Sequence, residues 1–312
     1  MTPTMLTILA VFWGLIGVAL LKILFGVFGR KASYLLFFPI AAAIYFGIPM
    51  LEQRAADRLE TQNDALVAQW RANQCVAPET IRQSVFIVTN AANRGYGTGF
   101  LLEGGIIGTN RHVANSFGEE AVFIAANGAE YTQDLIHIAD PKTSPDLAFY
   151  RTVNGMDGAR PLPLATAAPT AGEQLLIIGQ NHRRPRFYVS VVRYLGVGSN
   201  AADAPWGKIS PITAVSLLPV GLVAIITAPD RVTDDGANTS PAFATHGDTA
   251  SGNSGSAVVN CRGEVVGVHY ASRFIMLFAF EQIGYNVTLE GLKAELDKLP
   301  PAEVPVTEDS VG

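Results

Sequence analysis

Two long apolar runs near the start of the chain restrict its fold more than anything that follows them. Residues 6–28 read LTILAVFWGLIGVALLKILFGVF, with Lys22 the only charge, and residues 34–51 read YLLFFPIAAAIYFGIPML with none. Lipid offers no partner to a bare peptide group, so such a run can cross a bilayer only as a helix. At about 1.5 Å per residue the two helices would be about 34 and 27 Å long, enough for a hydrocarbon core of roughly 30 Å with modest tilt. Pro39 falls in the first turns of the second run, where it does least harm, and Pro49 helps to end it. Neither run has a polar face, which argues against two buried core helices. The first has no basic leader and is followed almost at once by the second, unlike a cleaved signal peptide. Residues 1–51 are therefore expected to form a two-span membrane anchor. A charged fraction of 16% agrees, because soluble domains carry about a quarter.

Arg30 and Lys31 lie between the spans, and Lys22 can snorkel toward the same side. The positive-inside rule then puts this short loop in the cytoplasm and the large remainder outside it, in the periplasm if the source is a Gram-negative bacterium. The lipid bilayer is thus the first expected partner. Nucleic acid is not expected, because the formal net charge is −5 and no Lys/Arg run offsets it. The two cysteines, Cys75 and Cys261, match no zinc or redox spacing. Outside the cytoplasm they are a disulfide candidate, with two buried thiols as the other reading. Residues 52–77 read as a helical stalk that stops before Pro78, with Ala55, Leu59, Leu66 and Trp70 at helical spacing. That stripe either packs on the chain's own domain or forms a short dimer seam. The heptads are too few for a coiled coil, which favours the first.

Beyond Pro78 the pattern changes to short β-type runs separated by turn residues, among them SVFIVT, GTGFLL, AVFIAA, DLAFYR, QLLIIG, RFYVSVVRYLG, VGLVAIIT, SAVVN and EVVGVHY. Runs of this length and spacing indicate an all-β barrel or sandwich. One amphipathic helix, TLEGLKAELDKL, closes the domain at about residue 298, and residues 299–312 are a Pro-rich tail expected to be disordered.

Within this β-rich part, residues 245–260 read THGDTASGNSGSAVVN, centred on Gly252-Asn253-Ser254-Gly255-Ser256. Gly, Asn and Ser gather in turns for conformational reasons alone, so the stretch by itself implies no chemistry. His112, one of five histidines with His137, His182, His246 and His269, lies in GIIGTNRHVANS, and Asp146 lies in SPDLAFYR. A lone His beside apolar residues is most often structural, and a lone Asp at a strand start is most often a turn residue. The three stretches nevertheless occur in the order His, Asp, Ser. Together they resemble the trypsin-like (chymotrypsin-fold) serine peptidases of bacterial type, over residues 80 to about 298. The stretch between His182 and Thr245 matches least.

The resemblance implies a two-barrel chymotrypsin-like domain over residues 78–298. In it Ser254 would be the nucleophile, His112 the base and Asp146 the group that orients it. The amides of Gly252 and Ser254 would form the oxyanion hole, and Gly252 suits a place where a side chain would crowd the developing anion. Asn253 replaces the Asp that, in animal digestive enzymes, pairs with a newly cut N-terminus, so activation by N-terminal insertion is not expected. Ala257 replaces the proline common after the serine motif, a neutral change.

Other motif readings fail on detail. The serine loop lacks the last Gly of a G-x-S-x-G elbow. Gly95-Tyr96-Gly97-Thr98-Gly99 misplaces the third Gly of a dinucleotide loop and leads into a strand. No His/Asp/Glu set has metal-ligand spacing, so neither metal nor cofactor is expected.

Thr249 and His269 stand five residues before and fifteen after Ser254. They resemble the Thr and His with which bacterial glutamyl endopeptidases bind the acidic side chain preceding the cleaved bond. Asp248 stands where the trypsin pattern has the Asp that selects Lys or Arg, and it would repel an acidic side chain unless it points away or pairs with His269. Acidic preference is the expectation, with basic preference as the alternative. The function expected is a membrane-anchored serine endopeptidase acting on protein or peptide. The alternatives are a catalytically silent, tethered binding or sensor module, and an enzyme opened by a partner at the segment between residues 182 and 245.

Overall fold

The computed structural model describes residues 57–90, 96–152, 158–181, 184–198, 242–275 and 281–301, with positions 22, 23, 25, 26, 54 and 156 besides. The two apolar runs fall outside these residues, apart from positions 22, 23, 25 and 26, which are helical. So do the run VGLVAIIT, His182 and the tail from residue 302. Among the described residues no helix is long and apolar enough to cross a membrane. The chain divides into two units, Met1–Arg58 and Leu59–Gly312.

The described residues of the second unit include thirteen strands. Seven make one sheet: β1 (Val85–Asn90), β2 (Gly97–Leu102), β3 (Ile106–Thr109), β4 (Ala121–Ile124), β5 (Glu130–Thr132), β6 (Asp134–Ile138) and β7 (Ala148–Arg151), in the order β5-β4-β1-β2-β3-β7-β6. The other six form a closed barrel: β8 (Gln174–Gly179), β9 (Tyr188–Gly198), β10 (Ala242–His246), β11 (Ala257–Val259), β12 (Val265–Ile275) and β13 (Glu281–Thr288), in the order β10-β13-β12-β11-β8-β9. Of the two barrels expected, the second closes by strand pairing and the first does not. Its edge strands β5 and β6 are separated in sequence by Gln133 alone, so the sheet must curl until its opposite edges meet at that residue. The chain, rather than a ladder of hydrogen bonds, joins the edges there.

The period of two along each strand decides where the core lies. In β1, Phe86 and Val88 point into a cluster with Ile107, Phe123 and Tyr150 on the inner face of the first sheet. Their neighbours Val85 and Ile87 point the other way, into a cluster shared with Leu176, Ile178, Val265 and Val268 of the barrel. In β8, Leu175 and Ile177 fill the barrel with Val192, Phe243 and Val258. Both faces of these strands are buried, which is why their sequences read as near-continuous apolar runs. A one-residue slip would exchange the two faces, so register is strongly specified.

Four α-helices lie among the described residues from position 57 onward: α1 (57–72), α2 (Pro78–Arg82), α3 (Arg111–Phe117) and α4 (Leu289–Leu296). The apolar stripe of α1 goes into the chain's own core. Leu59 and Trp70 are buried, Leu66 and Val67 pack against the shared cluster, and the Trp70 indole donates to Val76 O at 2.8 Å. Asn63, also buried, donates from Nδ2 to Val189 O (2.8 Å) and accepts at Oδ1 from the Val191 amide (2.9 Å), as a neighbouring strand would. Cys75 and Cys261 are joined as a disulfide across 186 residues, and Val76 N donates to Cys261 O beside it. In α4 the Thr288 hydroxyl caps the first turn by accepting from Gly291 N.

Candidate active site

Three consecutive residues just after β3, at the start of α3, are all directed at the segment carrying Asp146. Asn110 Nδ2 donates to Asp146 O at 2.8 Å. The buried Arg111 guanidinium donates to Pro145 O (3.1 Å) and Ala139 O (3.3 Å). His112 donates its amide to Asp146 Oδ1 at 3.1 Å, and its Nδ1 lies 2.6 Å from Asp146 Oδ2. Burial of Asp146 would raise its pKa. The hydrogen bond and charge of His112, the Arg111 guanidinium and the His112 amide outweigh this and hold the carboxyl below its ordinary range. An ionised carboxylate at Nδ1 keeps the imidazole proton there and leaves the Nε2 lone pair free to take another. His112 and Asp146 are legible in the sequence, whereas the isolated charge of Arg111 in GTNRHVAN gives no hint of its burial.

The serine loop joins β10 to β11 and is gripped by β2. Thr98 N donates to Ser254 O at 2.8 Å, and Thr98 Oγ1 donates to Gly252 O at 2.8 Å while accepting from Gln180 N at 3.1 Å. Gly252 has φ +96°, and a Cβ there would lie 2.6 Å from Gln180 O, so only glycine fits. Gly255, at φ +86°, would drive a Cβ into Thr98 O and Thr109 Oγ1. Asn253 ties the loop to itself, its amide donating to Ala250 O and its Oδ1 accepting from Ala250 N, each at 3.0 Å. Gly255 N is spent on His269 O at 2.8 Å. The amides of Gly252 and Ser254, by contrast, donate to no described residue, as an oxyanion site requires. The Ser254 hydroxyl donates to Tyr270 O at 3.3 Å and makes no hydrogen bond to His112.

Thr249 and His269 come together in a chain of neutral polar groups that includes a residue not anticipated, Ser272. Ser272 Oγ lies 3.0 Å from Thr249 Oγ1 and 2.9 Å from His269 Nε2. Three residues along a regular strand would place 269 and 272 on opposite faces. The pairing of β12 with β13 shifts between His269 and Ala271, so His269 faces Asn286 and Ser272 faces Gly284 on the same side. Gly284 leaves that side open, since a Cβ there would lie 3.2 Å from Thr249 Oγ1 and 3.0 Å from His269 Cε1.

Behind them Asn286 donates from Nδ2 to Phe243 O and Thr245 Oγ1, each at 3.2 Å. Its Oδ1 therefore faces His269 Nδ1 (3.0 Å), which must carry the ring proton. That leaves Nε2 to accept from Ser272. Burial lowers the His269 pKa to about 4, and the bond to Asn286 opposes it only in part, so the imidazole is neutral.

Asp248 does not join this group. Its Oδ2 lies 3.2 Å from both Nε and Nη2 of Arg184 and accepts from Tyr188 Oη at 3.1 Å. Of the two expected ways of removing its charge, pairing with His269 does not occur, and Arg184 supplies the partner instead. Among the described residues no group of three or more His, Cys, Asp or Glu could hold a metal ion.

No curated protein is matched by the sequence. Among solved structures the chain is similar to the Rv3671c protease from M. tuberculosis in its inactive form, seen in a mutant and an unmutated crystal. The identities are 17% and 18% over 72% of this chain and 91% and 92% of those, with TM-scores of 0.50. The serine endoprotease from Yersinia pestis is 20% identical over 72% of this chain and 66% of its own, with a TM-score of 0.47. Identities this low bear on the fold alone, which is shared with the two Rv3671c structures. The profile of the trypsin-like peptidase domain matches residues 97–268, over half of the chain and spanning His112, Asp146 and Ser254. On that match, the chain belongs to the trypsin-like peptidase domain family.

Proposed function

We propose that this chain is a membrane-anchored serine endopeptidase that works through His112, Asp146 and Ser254. The observation that carries the reading is the 2.6 Å bond between His112 Nδ1 and Asp146 Oδ2, which leaves Nε2 as the base. Ser254 Oγ attacks the scissile carbonyl carbon as its proton passes to His112 Nε2. The carbonyl oxygen becomes an anion received by the amides of Gly252 and Ser254. His112 returns the proton to the leaving amine, the C–N bond breaks, and an acyl-enzyme ester remains. Water, deprotonated by His112, then hydrolyses that ester. For the first step the Ser254 hydroxyl must leave Tyr270 O for His112.

The Thr249, Ser272 and His269 group supports an acidic side chain before the cleaved bond. The hydroxyls of Thr249 and Ser272 can each donate to a carboxylate, and Asp248, the acid next to Thr249 that would repel it, is paired with Arg184. Attachment to the bilayer rests on the apolar runs at 6–28 and 34–51, and an extracytoplasmic domain is supported by the Cys75–Cys261 disulfide, which suits an oxidising compartment. A dimer through α1 would need residues other than Leu59 and Trp70, which are already buried.

The test is labelling of the purified chain with a fluorophosphonate, which reacts with an activated serine, beside a Ser254→Ala control. The expected outcome is labelling that disappears in the variant. A folded chain that stays unlabelled would overturn the constitutive enzyme and leave the silent binding module or the partner-opened enzyme.

A further inference from the structure

Arg184 lies between two acids from distant parts of the chain. Its Nη1 is 2.6 Å from Glu60 Oε2 on α1, and its Nε and Nη2 reach Asp248 Oδ2. The Asp248 side chain is only 2% exposed and the Arg184 side chain 9%, whereas Glu60 is 47% exposed, so water screens its charge. Asp248 is bonded directly to Thr249 in the chain, and Thr249 supplies a hydroxyl to the pocket. Without a partner, the Asp248 carboxylate would impose a buried negative charge on the pocket wall.

The supports of this ion pair come from α1 as well. Tyr188 Oη donates to Asp248 Oδ2 and accepts from Asn63 Nδ2 at 2.9 Å. Glu60 and Asn63 are three apart and share one face of α1, and Asn63 is pinned to β9 by its two backbone bonds. The helix that precedes the domain therefore holds both groups that occupy Asp248.

We infer that Arg184 is a specificity-determining residue, which cancels the charge of Asp248 and so decides the sign of side chain the neighbouring pocket accepts. The inference rests on the reading of that pocket as the receptor for the side chain before the cleaved bond. A unit charge about 10 Å away, at an effective dielectric near 20, changes the binding of one charged side chain by roughly tenfold, and because Glu and Lys move in opposite directions their ratio changes by roughly a hundredfold. Arg184→Gln unmasks Asp248 and moves the pocket toward Lys and Arg. Asp248→Asn removes the buried negative charge while Arg184 keeps its exposed, screened partner Glu60, and moves the pocket toward Glu and Asp. Removing both partners restores the original balance.

The experiment uses the full chain and a panel of peptides that differ only in the residue before the cleaved bond, reading the ratio of kcat/KM for Glu over Lys. The ratio is expected to fall roughly a hundredfold in Arg184→Gln, to rise in Asp248→Asn, and to return to within about threefold of the starting value in the double variant. Should Arg184→Gln not fold, the rise in Asp248→Asn still decides the matter, because a purely structural role would not move the ratio in that direction. A ratio that stays put in the folded variants, or moves the same way in both, overturns the inference. A native chain that prefers Lys overturns the acidic reading, while the opposed shifts still decide the role of Arg184. A native chain that cleaves no peptide of the panel overturns both.

Discussion

His269 is buried and held neutral, and that makes the fold sensitive to mild acid. Its imidazole is 1% exposed, and burial depresses its pKa from an ordinary 6.5 to about 4. A depressed histidine pKa means that the unfolded chain binds the proton first as pH falls. Stability from this source is complete above pH 6.5 and is lost progressively as pH drops toward about 4. At about 1.4 kcal/mol per pH unit, the loss over that window amounts to about 3 kcal/mol, a large part of the stability of an ordinary domain. Denaturant unfolding of the chain at steps from about pH 8 to about pH 4.5 would measure the slope. The same series on His269→Gln isolates this residue from the other titrating groups. The variant should be weaker at neutral pH and lose less on acidification. A titration of the His269 ring proton by NMR gives the pKa directly. Titration near 6.5, or an unchanged pH slope in the variant, would refute the claim that Asn286 and Ser272 hold a neutral, buried ring.

Two further outcomes follow from the geometry. Gly252→Ala would force a side chain against Gln180 O at a φ of +96°, so the peptide carrying the oxyanion donor must turn. Turnover of a peptide substrate should fall about a hundredfold or more, with only a modest drop in melting temperature. Reduction of the Cys75–Cys261 disulfide releases a loop of 186 residues, worth about 5 kcal/mol on chain-entropy grounds. Unfolding midpoints with and without reductant should differ accordingly, and a midpoint indifferent to reductant would contradict the pairing.

The chemistry of the site could be read locally. His112, Asp146 and the Gly252–Ser254 loop sit in short stretches whose residue types and order carry the resemblance, and each lies in or beside a turn whose backbone needs are local. The β-runs were legible for the same reason, since alternation and apolar density are properties of neighbours along the chain. Strand β13 was harder, because its apolar residues Ile283, Tyr285 and Val287 are interleaved with Gly284 and Asn286, which serve the pocket. Ser272 could not be recognised at all from its spacing, which would put it on the wrong face without the irregularity after His269. Asp248 looked like a basic-specific pocket residue because nothing local indicates Arg184, sixty-four positions away.

The sequence by itself thus determined which chemical groups the chain possesses and which segments suit strand, helix or lipid, because those depend on composition and period. Only the tertiary structure decided which groups meet: Arg184 with Asp248, Ser272 with His269, Cys75 with Cys261, and the first sheet's two edges at Gln133. The physical reason is that burial and pairing are set by strand register and by loop closure over tens to hundreds of residues. A one-residue shift in register exchanges the two faces of a strand while leaving its sequence pattern intact.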